Sequence, residues 1–472
     1  MSEQRGLGVE RTPPERSAVP RRHHALVALV ALCCGAPSAP DALPPDNVMV
    51  IIVDDIGRED LRAYGERANQ PSTPSLDGLA SRGIVFRNVW SNPVCAPARA
   101  AVLTGRYAFR TGIGSNMKSS YLPRTATIIP KILGDRYQSA AIGKWHLAGR
   151  SKAERAGSHG LEVDLDHPRV LGFDHFSGTM GNIGAGRGKL YRRWEKVVDG
   201  QPLPELVTEY ATSVTTDDAL AAIARMREPW FSYVAYHAAH APLHAPPDHL
   251  HSQDLEGPGE ERDAAMYRAM IEALDAEVGR LLSSVSPEVM ARTTVIFLGD
   301  NGAKAAKVAE EDNDERRGKR TLYEGGIAVP FIVAGARVAP ALRGTLSDAL
   351  VDTVDILATV ADIAGVSHAS PDSRSLLPLL ESPSAPSLRR YGYSEMFRPD
   401  GLGPYRYHDQ AIRDERFKLV REDCRDARFF DLRDDPGEQH ELLAGAKLSE
   451  EQSLAYASLR TSLSALTRCR IR

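Results

Sequence analysis

The chain has 472 residues, 42% hydrophobic and 25% charged, which is enough for one large core with a smaller one beside it. Gly 38 and Pro 31 are spread along it without a period, so collagen-like and low-complexity chains are excluded. Lys+Arg 58 against Asp+Glu 62 leaves a formal net charge of -4, without the single-sign field of a nucleic-acid binder.

Residues 1–40 read as an export segment. A polar, Pro/Arg-rich stretch ends in Arg21-Arg22-His23-His24, an apolar run from Ala25 to Cys34 follows, and Gly35-Ala36-Pro37-Ser38-Ala39 closes it. Positive flank, short apolar core and small-residue exit are the parts of a signal peptide. The expectation is an exported protein, periplasmic or extracellular, with a twin-arginine route at Arg21-Arg22 and lipidation at Cys33 as variants. The apolar run is too short for a permanent membrane span, and no later segment is apolar enough for one.

Next comes Asn47-Val-Met-Val-Ile-Ile-Val53, then Asp54-Asp55. A continuous apolar run without alternation predicts a strand buried on both faces. A helix is expected over 75–81, and another from Cys95, where Pro97 suits a first turn and Gly105 a stop. Cys95 then sits at a helix N-terminus, which favours an anion, with Arg99 four residues on along the same face. Further strands are expected at 139–143, before Lys144-Trp145-His146, and at 230–236, before His237 and His240. After a helix over 264–283, the run 293–298 leads into Gly299-Asp300-Asn301-Gly302. Strands alternating with helices imply a mostly parallel sheet, and such sheets bind ligands beyond the carboxyl ends of their strands. Asp54, Asp55, Asp300 and Asn301, meeting there, offer hard oxygen ligands for a divalent cation such as calcium or magnesium, with calcium the expected ion of the two. The charged run from Glu310 to Arg317 reads as a solvated loop.

Ser382-Pro-Ser-Ala-Pro-Ser387 reads as a linker, dividing an α/β domain over 41–385 from a small unit over 386–472. Short strand-like runs between Tyr391 and Gly445 predict an antiparallel sheet. A capping box at Ser449-Glu450-Glu451-Gln452 opens a final helix bearing Leu454, Leu459, Leu463 and Leu466. Cys424 and Cys469 are available for a bridge after export.

Cys95-Ala96-Pro97-Ala98-Arg99, with Leu103-Thr104-Gly105-Arg106 behind it, resembles the sulfatase signature Cys-x-Pro-x-Arg. The resemblance covers nearly the whole chain after residue 46. Val53-Asp54-Asp55-Ile56-Gly57, Thr73-Pro74-Ser75-Leu76-Asp77, Gly143-Lys144-Trp145-His146-Leu147 and Gly299-Asp300-Asn301-Gly302 match in order. So do the segment from Gly318-Lys319 to Gly326 and the acidic turn Asp431–Glu438. Ala98 stands where many relatives have Ser, and Ala239 where the family more often has Pro.

The resemblance implies an alkaline-phosphatase-like α/β fold with a smaller C-terminal antiparallel sheet plus helix. It implies a formylglycine made from Cys95 by a maturation enzyme, whose hydrate, held by Arg99 and a metal, attacks the sulfur of a small-molecule or saccharide sulfate ester. The covalent sulfated hemiacetal then collapses as His146 removes a proton from the second hydroxyl. By the same resemblance Lys144 and Lys319 bind sulfate oxygens, and Asp54, Asp55, Cys95, Asp300 and Asn301 surround the cation. His240, with Lys319, protonates the leaving oxygen, with His237 and His244 as alternatives to His240. One rival reading is a phosphate or phosphonate monoesterase built on the same residues; a second is an inactive binding protein, against which stand Cys95, Arg99 and every acidic ligand. Specificity is expected from loops over 159–193 and 393–408.

Overall fold

A computed structural model describes residues 46–467 apart from 66–68, 117–119, 150–162, 185–189, 304–316, 383–384, 426 and 446. The export segment, most of the charged run at 310–317, the start of the 159–193 loop and Cys469 lie outside the described residues.

The strands of the larger sheet, in chain order, are β1 (Asn47–Val53), β2 (Gly83–Trp90), β3 (Gln138–Lys144), β4 (His175–Thr179) and β5 (Val197–Val198). They continue with β6 (Gln201–Pro202), β7 (Trp230–Ala235), β8 (Thr293–Gly299), β9 (Phe331–Gly335) and β10 (Thr345–Asp352). Their spatial order is β10-β2-β9-β8-β1-β7-β3-β4-β5-β6. The four runs read from the sequence as buried strands are therefore neighbours, β8-β1-β7-β3, and each adjacent pair is parallel. β9 runs antiparallel between β2 and β8, which leaves β2 pointing the same way as the central four.

The absence of alternation in β1 has a simple cause. Val48, Val50 and Ile52 face one core, while Met49, Ile51 and Val53 face another on the opposite side of the sheet. The helices Pro74–Ser81, Ala211–Arg225 and Gly259–Ser284 cover the second face. The Cys95–Thr104 helix, with Asp355–Ile363, covers the first. Gly105 ends the Cys95 helix at φ 63, the left-handed conformation in which a Cβ would also meet Leu357 and Ser373.

The C-terminal strands β11 (Gly392–Arg398), β12 (Tyr407–Arg413), β13 (Phe417–Arg421) and β14 (Arg428–Asp431) form an antiparallel meander. The capping box is present: Ser449 accepts from the Gln452 N–H while the Gln452 side chain accepts from the Ser449 N–H. On the helix it opens, Leu459 and Leu463 pack against Phe417, Leu419 and Phe429, but Leu454 is exposed. Tyr393 and His408, expected in a substrate loop, are instead buried on β11 and β12, because that segment is mostly sheet. Only residues 399–406 between them form a connection.

A buried ion cluster joins the two sheets. Lys418 on β13 donates to Glu324 Oε1 at 3.0 Å and lies 2.8 Å from Glu438 Oε1. Trp90 at the end of β2 donates its indole N–H to the same Glu324 oxygen at 2.9 Å.

Candidate functional site

Pairing in the sheet places the site. Val53 lies opposite Gly299, so the residues after β1 and β8, Asp54 and Asp300, emerge side by side. Gly143 lies opposite Ala235 in the same way, bringing Lys144 and the histidine segment to that edge. The Cys95 helix starts a few residues after β2, on the same side. Five chain segments thus deliver their polar ends to one place.

Cys95 is fully buried and its thiol donates to Asp54 Oδ1 at 3.2 Å. Lys319 Nζ lies 3.2 Å from the sulfur and contacts Asp55 Oδ1; Lys144 Nζ contacts Asp54 Oδ2. Arg99, also fully buried, makes no hydrogen bond to the sulfur among the described residues. Its Nε and Nη2 donate to Asp300 Oδ2 at 3.1 and 2.9 Å, and its Nη1 donates to the Lys144 carbonyl at 3.0 Å. It therefore locks the acidic ligands to the end of β3.

Burial alone would raise the Asp54 carboxyl, but Lys144, His240, Arg99 and Lys319 outweigh it and hold it well below the usual carboxylate range. Asp300 goes the other way, to about 6, through burial and the charge of Asp54. Burial, Asp300 and Asp54 push the Cys95 thiol up to about 12.

Asp54, Asp55, Cys95 and His240 each offer a donor atom, all within 4.8 Å of one another. Two further observations fit a cation here. The Asn301 Oδ1 is buried without a hydrogen-bond partner among the described residues, while its Nδ2 donates to Asp55 Oδ1 at 2.8 Å. Both ammonium groups are drawn onto Asp54 and Asp55, the positive charge that two adjacent buried carboxylates require. The oxygens of Asp54, Asp55 and Asn301 are hard donors, suited to a hard divalent cation, with the Cys95 sulfur and a His240 nitrogen beside them.

The three histidines considered from the sequence separate by their hydrogen bonds. Thr179 donates its hydroxyl to Gly181, so its oxygen accepts from His237 Nε2 at 2.7 Å. His244 spends Nδ1 on the Pro242 carbonyl and Nε2 on the Tyr210 hydroxyl. His240 bonds the Ala241 carbonyl through Nδ1 at 2.6 Å, and its Nε2 faces Asp55 Oδ2 at 4.0 Å. His240 alone of the three points into the cluster.

His146 follows Lys144 in the left-handed region at φ 64, as Asp55 does at φ 62. Its Nδ1 is buried without a partner among the described residues. Burial, then Lys144 and Arg99, lower its pKa well below the ordinary value, so the ring is neutral.

Several supporting residues carried no signal in the sequence. The Tyr191 hydroxyl bridges the carbonyls of His237 and His240, and the Tyr267 hydroxyl meets the Asp55 carbonyl at 2.8 Å. Asn116 takes the Ala96 N–H at 2.7 Å, capping the Cys95 helix from a distant loop where Val94 has no side-chain oxygen to do so. A lone Tyr or Asn far along the chain has no local pattern that marks such a role.

A buried nucleophile, clustered carboxylates and converging cations at the carboxyl edge of a parallel sheet define a hydrolase of tetrahedral oxyanion esters. The Sulfatase family model matches residues 46–366, and that for the C-terminal part of N-sulphoglucosamine sulphohydrolase matches 316–466. N-acetylgalactosamine-6-sulfatase of Sus scrofa is 30% identical over 390 residues, 77% of this chain and 70% of that protein. Arylsulfatase A of Homo sapiens is 30% identical over 377 residues, 75% of this chain and 70% of that one. The solved Ps i-CgsB, in complex with k-i-k-neocarrahexaose, superposes with a TM-score of 0.70 at 23% identity, covering 90% of this chain and 93% of that one. The chain belongs to the sulfatase family and is a sulfuric ester hydrolase.

Proposed function

We propose that the chain hydrolyses the sulfate ester of a saccharide, with Cys95, oxidised to formylglycine by a maturation enzyme, as the point of attack on sulfur. One observation carries this reading. The Cys95 sulfur lies 3.2 Å from both Asp54 Oδ1 and Lys319 Nζ, at the meeting point of the acidic and basic groups. Saccharide substrates are favoured by the 30% identity to N-acetylgalactosamine-6-sulfatase along 77% of the chain.

Formylglycine, when formed, supplies a hydrated aldehyde with two hydroxyls, one for attack and one from which sulfate is later expelled. Asp54, Asp55, Asp300 and Asn301 would hold a calcium ion, which when bound offsets charge on sulfate; an oxygen-only protein set favours calcium over the more hydrated magnesium. Lys144 and Lys319, freed from neutralising Asp54 and Asp55, bind sulfate oxygens and stabilise developing negative charge. Arg99 keeps Asp300 and the end of β3 in register. His146, neutral and with an Nδ1 that has no partner among the described residues, takes the proton in the second half-reaction. His240, its Nδ1–H committed to the Ala241 carbonyl, has a bare Nε2 in the neutral ring that burial favours, so it must first take up a proton from solvent at Nε2 and then passes that proton to the leaving oxygen. Export is favoured by the disulfide bond of Cys424, since such bonds persist in oxidising compartments.

The test is the mass of the peptide around Cys95 from cells that have the maturation machinery, together with the Cys95→Ser variant. Conversion of the thiol to an aldehyde and loss of turnover in the variant are expected, since a serine sulfate has no second hydroxyl to collapse it. An unmodified thiol in protein that still cleaves sulfate esters would refute the reading.

A further inference from the structure

We propose that His167, outside every group assigned above, is a positioning residue that clasps the turn carrying His146. The inference rests on the proton-accepting role proposed for His146.

Trp145 and Leu147 flank His146, and a closed ring of hydrogen bonds joins them. The Trp145 indole N–H donates to His167 Nδ1 at 2.9 Å. An indole N–H can only donate, so Nδ1 is unprotonated. His167 Nε2 lies 2.7 Å from the Leu122 carbonyl, which can only accept, so Nε2 carries the hydrogen. The two neighbours thus fix the neutral tautomer. The Leu122 N–H then donates to the Leu147 carbonyl at 3.0 Å and closes the ring.

Trp145, Leu147, Leu122 and His167 are all buried. The ring of Trp145 packs edge-on against Phe173 and Phe176, and Tyr121 lies over His167 at 4.9 Å. On the sheet side, the backbone N–H groups of Trp145 and His146 are held by Thr179 and Met180. His146 is therefore gripped on both sides in a left-handed conformation that a non-glycine residue avoids when free. The same strand end carries Lys144, whose carbonyl is pinned separately by Arg99. A clasp on Trp145 and Leu147 thus acts on the aim of His146 more than on that of Lys144.

A histidine that merely fills the core would affect stability alone, and kinetics separate the two roles. His167→Phe keeps a ring but loses both hydrogen bonds; His167→Asn keeps an oxygen near Nδ1 to accept the indole N–H; His167→Gln keeps a donor near Nε2 instead. With 4-nitrophenyl sulfate, His167→Phe should lower kcat by about 10- to 100-fold with KM changed less than about 3-fold, as for a displaced catalytic group. His167→Asn should retain most of kcat, and His167→Gln should not. Trp145→Phe should reproduce the loss, and adding it to His167→Phe should cost little more, since both break one bond. In a His146→Ala background, His167→Phe should lower kcat no further.

If His167→Phe lowers thermal stability but leaves kcat within about 2-fold, His167 only fills the core and the clasp is refuted. If the His167→Phe protein does not fold, equal kcat for the Asn and Gln variants refutes it instead. An undiminished further loss in the His146→Ala background means that His167 acts through another group, which also overturns the clasp. Full turnover of His146→Ala, by contrast, removes the role proposed for His146 itself.

Discussion

Lys418→Met tests whether the ion cluster between the two sheets is a buried, mutually compensated unit. Lys418 is fully buried and is the cation shared by Glu324, at 3.0 Å, and Glu438, at 2.8 Å. Methionine fills a similar volume, so the change removes charge more than packing. Glu324 keeps Arg413 at 3.5 Å, but no other cation is paired with Glu438 among the described residues. Removing one partner of a buried pair typically costs about 3–5 kcal/mol, and the loss of the shared charge by two carboxylates puts Lys418→Met in that range. The loss also has a pH signature. Burial alone would raise the Glu324 carboxyl, but Lys418 and then Arg413 hold it at about 2. In the wild type its folded pKa is depressed, so its stabilising effect is present above the unfolded value and is lost as pH falls toward 2. Without Lys418 burial dominates and the folded pKa rises above the unfolded value. The stability of the variant is then fullest below the unfolded pKa and falls as pH rises through the folded one. Guanidinium denaturation at about pH 8 and about pH 5 should therefore show a larger deficit at the higher pH. A deficit below about 1 kcal/mol, or one equal at both pH values, would refute the argument.

Two further outcomes concern the site. His240→Ala should cost about 100- to 10,000-fold on an alkyl or sugar sulfate, and far less on a nitrophenyl sulfate whose leaving oxygen carries its own charge; equal losses would make His240 a binding residue. Purified protein should contain about one calcium per chain and show a higher Tm with calcium than after chelation, while Asp300→Ala should lose that stabilisation; full activity with no bound metal would exclude the cation site.

Much of the site was legible because its signals are local. Pro97 and Gly105 bound a helix by backbone geometry alone, and the helix Cys95–Thr104 follows from them. β1 and β8 betray themselves by apolar runs that water could not tolerate on either face. The choice among three histidines was not legible. His237, His240 and His244 lie within eight residues and carry the same local signal. Thr179 and Tyr210, far away in sequence, occupy the Nε2 atoms of His237 and His244. Tyr393 and His408 misled for a related reason: polar and aromatic residues resemble a binding loop until pairing on β11 and β12 buries them.

The amino-acid sequence by itself determined the four central strands, the carboxylates and lysine at their ends, and the helix that opens on Cys95. Each depends on hydrophobic periodicity or backbone preference within a few neighbouring residues. Only the tertiary structure decided which groups meet. The strand order β8-β1-β7-β3 sets Asp54 beside Asp300, and a distant Asn116 caps the Cys95 helix. Arg99 donates to Asp300 and to the Lys144 carbonyl. Hydrogen bonds and ion pairs act over a few ångströms, whereas these partners lie 20 to 246 residues apart in the chain, so their meeting is a property of the packed sheet.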